Sequence, residues 1–144
     1  MADGKIVIAV DADAKQAQKE LASVQKRIET IEARIQKANT MRSPLVEQAA
    51  QLSVELDKAN AKLLEMQNSG ASTTSIAAQK ETVAALQAQY NQVQSRVEAY
   101  DRQLQSANYD LEQAKQKAGE LTERVTDVEK AARGMAKATE KTNK

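Results

Sequence analysis

VAALQAQYNQVQSRVEAYDRQLQSANYDLEQAKQKAGELTERVTDVEKAARGM, residues 83–135, decides the fold. Apolar side chains recur at Val83, Leu86, Tyr90, Val93, Val97, Tyr100, Leu104, Ala107, Leu111, Ala114, Ala118, Leu121, Val125, Val128, Ala132 and Met135, alternately three and four residues apart. That spacing is a heptad seam, the narrow apolar stripe of a coiled-coil helix. One helix cannot bury such a stripe against itself, so it requires a partner helix.

The partner is sought first in the same chain. Ala14, Ala17, Leu21, Val24, Ile28, Ile31, Ile35 and Ala38 carry the same spacing. Counting on, the seam falls at Arg42, Leu45, Ala49, Leu52, Leu56, Ala59, Leu63 and Met66, and only Arg42 is not apolar. Ser43-Pro44 looks like a helix start, but a loop there would reset the phase. The preserved phase predicts one arm kinked at Pro44 rather than two helices.

Between the arms lies NSGASTTS, residues 68–75, small and polar with no apolar period. Gly70 suits a left-handed helix end, and Thr73 or Thr74 suits the cap of the next helix. Ile76 extends the second seam backwards, with Gln79 as a polar interruption. Ala14–Met66 and Ile76–Val128 are each 53 residues long, about 80 Å of helix apiece. Equal arms about a short turn predict an all-α fold, a long antiparallel helical hairpin. Small seam residues such as Ala17, Ala38, Ala49, Ala59, Ala107 and Ala114 let the helices approach closely but bury little area, which favours further self-association.

The first 13 residues read differently. Lys5-Ile6-Val7-Ile8-Ala9-Val10 is short and β-branched between Gly4 and Asp11, the pattern of a β-strand. A lone strand needs a partner for its backbone. Ile6, Val7, Ile8 and Val10 are therefore candidate contacts for strand pairing with another copy or protein, the alternative being a loose arm. Asp13 with Gln16 resembles a capping box opening a helix near Ala14, a better account of Asp11 and Asp13 than a metal site. The expected organisation is thus an arm over 1–13, a coiled-coil arm over 14–67, a turn over 68–75, a second arm over 76–135 and a tail over 136–144.

Composition narrows the functional classes. Three Tyr with no Phe or Trp, and 41% apolar residues, suit solvated helices with a thin seam better than a globule. Twenty-one basic residues face 20 acidic ones, interspersed, which disfavours nucleic acid or anionic membranes as partners. Lys137, Lys141 and Lys144 suit the negative end of a helix dipole. The longest wholly apolar run, Ile6–Val10, is too short for a membrane span. There is no His or Cys and no glycine-rich phosphate loop. No catalytic, cofactor-binding or metal-binding residues are therefore expected. Tyr90 and Tyr100 lie on the seam and Tyr109 off it, which fits packing and exposure rather than a stacking platform. The candidate interaction residues of the seam are Leu21, Val24, Ile28, Ile31, Ile35, Leu52, Leu56, Leu63, Leu86, Val93, Val97, Leu104, Leu111, Leu121, Val125 and Val128.

The opening MADGKIVIAVDADAKQAQKEL, residues 1–21, resembles the start of tail tape measure proteins of long-tailed bacteriophages and prophages. Those open with a Gly-Xaa-Ile-Val-Ile strand, one or two Asp and a Lys-rich helix. Gly134-Met135-Ala136-Lys137-Ala138 is similar to their linker before later regions. The resemblance implies the N-terminal coiled-coil part of a longer structural protein that sets tail length. It also implies a place in the virion tail, assembly in the host cytoplasm, and tail-tube, tail-tip or assembly-chaperone proteins as partners. The reading that needs no resemblance is a cytoplasmic coiled-coil scaffold or adaptor.

Overall fold

The computed structural model describes residues 2–142, with side-chain surroundings for residues 12–134. It consists of two helices, α1 (Ala2–Asn68) and α2 (Thr73–Thr142), packed against each other as a helical hairpin. The chain divides into two compact units: Ile35–Ser106, which contains the turn, and Met1–Arg34 together with Ala107–Lys144.

The sequence expectation of a strand over Lys5–Val10 is corrected: this segment belongs to α1, and no strand occurs among the described residues. Each β-branched residue costs a helix only a few tenths of a kcal/mol. A strand without a neighbour leaves every backbone donor and acceptor of the segment to solvent, whereas a helix pairs them internally. The side chains of Ile6, Val7, Ile8 and Val10, offered as strand-pairing contacts, lie outside the residues whose surroundings are described. A helix start near Ala14 is corrected with it. Asp13 is exposed within α1, and Gln16 donates from Nε2 to Glu20 Oε1 at 3.2 Å, an ordinary contact one turn along.

α1 runs through Pro44 without interruption, with Pro44 exposed. Proline has no N–H, so the Thr40 carbonyl loses its helical donor, and the ring crowds that turn. Solvent can take up the freed carbonyl on an exposed face, and the seam on either side holds the helix in phase.

The turn is tighter than 68–75. Gly70 has φ of 73°, a conformation that a residue with a Cβ adopts at a penalty. The Ala71 amide donates to the Met66 carbonyl at 3.1 Å, the six-to-one bond of a Schellman ending. Ser72, not Thr73 or Thr74, caps α2. Its Oγ accepts from the Ser75 amide at 3.1 Å and donates to Ser75 Oγ at 2.9 Å, while its carbonyl accepts from the Ile76 amide at 3.0 Å. Ala71 precedes the cap and Ile76 lies in the first turn; both are half-buried, in the positions of a hydrophobic staple.

Candidate functional site

The feature that could carry function is the seam itself. In the unit that holds the turn, Leu45, Ala49 and Leu52 of α1 form one buried cluster with Val93 and Val97 of α2, and Leu86, Tyr90 and Tyr100 pack against it half-buried. Ala38 and Ala59 are buried on the same stripe, and Ile35, Leu56, Leu63 and Leu104 are half-buried. In the other unit Ala17, Ile31, Ala107, Ala114 and Leu121 are buried. Leu21, Val24, Ile28, Leu111, Val125 and Val128 are half-buried there. Ala132 is exposed, and Met135 lies outside the described side chains.

Half of the 12 buried apolar residues described are alanines. An alanine removes little surface from water, so at about 25 cal/mol per Å² the stripe is stabilised thinly where alanines carry it. Ile35, Leu56, Leu63 and Leu104 keep an edge in solvent because two helices do not enclose every position of the stripe on all sides.

Polar residues on the seam are held by the opposite helix. Arg42, half-buried, donates from Nε to Asp101 Oδ1 at 2.6 Å. Gln79 Nε2 donates to the Ala59 carbonyl at 2.9 Å, a contact opened by the small side chain of Ala59. No buried polar side chain occurs among the described residues.

Other arrangements offer less. An open groove of about 580 Å³ is lined by Val24, Arg27, Asp110, Ala114, Lys117 and Glu120 among others. Its two cations and two carboxylates sit on exposed or half-buried helix faces. Tyr109 is exposed. Among the described residues no group of His, Cys, Asp or Glu is placed to hold a metal ion, and no helix is long and apolar enough to cross a membrane.

The seam and the turn define a class, the antiparallel two-helix coiled-coil hairpin. No family model matches the chain, and no curated protein or solved structure matches it.

Proposed function

We propose that the chain is a structural rather than catalytic protein that works through protein–protein association. The observation that carries this reading is the use of the 3–4 stripe on both helices for mutual packing. The side chains left outside the stripe are mostly small or charged, and they suit contact with other proteins better than chemistry. On the resemblance of residues 1–21, the particular reading is the N-terminal coiled-coil part of a phage tail tape measure protein. Its biological setting would be the virion tail, with tail-tube, tail-tip and assembly-chaperone proteins as partners. Its mechanism would be geometric, since a helix converts residue count into length at about 1.5 Å per residue.

Mass spectrometry of tailed particles from the encoding strain, before and after DNA ejection, tests this. The tape measure reading expects the chain in full particles and its loss from spent ones. Particles that never contain it would refute that reading. The helical conformation of residues 5–10, where the resemblance calls for a strand, favours a second reading: a non-phage coiled-coil scaffold or adaptor. That reading expects the chain in cells that make no particles.

A further inference from the structure

We propose that Arg42 and Gln79 are alignment-setting residues, whose contacts across the seam select this pairing of α1 with α2 over pairings slipped by one heptad. The apolar stripe cannot make that choice alone. A slip of seven residues brings Leu45, Ala49 and Leu52 from the level of Val93 and Val97 to that of Tyr100 and Leu104, or of Leu86 and Tyr90. Every one of these is apolar, because the repeat that defines the seam also makes it nearly indifferent to a slip of its own length.

The polar positions are not indifferent. In the observed alignment Arg42 meets the Asp101 carboxylate at 2.6 Å. Seven residues either way, it meets Gln94 or Asn108, both neutral amides. An ion pair is then exchanged for a weaker contact between the guanidinium and an uncharged amide. Gln79 reaches a backbone carbonyl because residue 59 is alanine. Seven residues either way, its level is taken by Leu52 or Met66, whose side chains cover the carbonyl and leave a half-buried amide without that acceptor. The two contacts lie in different stretches of the seam, so one slip loses both.

Within one molecule the four-residue turn already restrains slippage. The choice matters when two opened chains meet and α1 of one copy pairs with α2 of another. A correct alignment there closes into a defined dimer, whereas a slipped one leaves unpaired seam at both ends and recruits further copies. A single polar residue at a core position that fixes coiled-coil alignment, at a cost in stability, is a known physical device.

The chain has no cysteine, so alignments can be trapped. The full-length protein with Ala49→Cys and Val93→Cys reports the observed alignment, and Ala49→Cys with Tyr100→Cys reports a slip of seven. Each is unfolded, refolded at high concentration, oxidised and resolved for cross-links between molecules. In the otherwise unaltered chain the first pair should trap severalfold more than the second. Asp101→Asn makes residues 94, 101 and 108 all amides and leaves both apolar stripes intact; it should raise slipped trapping severalfold with little change in melting temperature. Arg42→Leu with Gln79→Leu should raise slipped trapping further while the melting temperature rises, a pairing of effects that simple loss of stability cannot produce. Slipped trapping unchanged by these substitutions would overturn the proposal, as would equal trapping of both alignments in the unaltered chain.

Discussion

The Ala71 amide donates to the Met66 carbonyl at 3.1 Å, and this bond wraps α1 to its end while carrying Ala71 into place before the Ser72 cap of α2. Its geometry requires Gly70 at φ of 73°. An added Cβ at Gly70 would meet nothing within 4 Å. The penalty of Gly70→Ala is therefore conformational rather than steric, about 1–2 kcal/mol of lost stability.

Gly119→Ala should act in the opposite direction. Gly119 lies inside α2, and its Cβ also meets nothing within 4 Å. Alanine there should add about 1 kcal/mol through helix propensity. Thermal unfolding followed by circular dichroism checks both; two substitutions of the same sign would contradict the assignment of the turn.

Ser72→Ala removes the oxygen that accepts from the Ser75 amide. A loss of about 1 kcal/mol is expected, with faster hydrogen exchange at Ser75. Thr73→Ala and Thr74→Ala should be nearly silent, since neither hydroxyl holds the cap. An equal or larger effect at Thr73 or Thr74 would move the start of α2.

Arg42 and Asp101 remain 37% and 50% exposed while paired, so the pair is worth about 1 kcal/mol or less and should weaken in salt. Arg42→Asp or Asp101→Arg alone sets like charges against each other and should lower the melting temperature by a few degrees. The double exchange should recover most of that loss. Failure of the exchange to recover it would mean that the single substitutions act through the helices rather than through the pair.

The hairpin was legible because heptad spacing and solvent exposure share one cause. A helix that meets a single partner hides one narrow stripe, and residues such as Ile31, Leu45, Val97 and Leu121 mark it at intervals of three and four. The phase across Pro44 carried the same information, since a break would have rotated Leu45 away from the side that Ala38 faces. The strand over residues 5–10 misled because β-branched residues signal a preference worth tenths of a kcal/mol, while the backbone pairing that decides between helix and strand depends on a neighbour the sequence does not supply. The cap was expected one or two residues late, at Thr73 or Thr74, because Ser72, Thr73 and Thr74 are chemically similar candidates, and only the position of Gly70 in its left-handed turn selects among them. Arg42 stood out as a flaw in the stripe. That Asp101 answers it depends on the alignment of the two arms, which the spacing within either arm leaves open.

The direct measurement is a cross-link between the arms of a single molecule. Ala49 and Val93 belong to one buried cluster, so Ala49→Cys with Val93→Cys, oxidised in dilute solution beside an excess of the cysteine-free chain, should close a disulfide inside the monomer. Cysteines that stay reduced, or that join only different molecules, would contradict the folded-back pairing of α1 and α2.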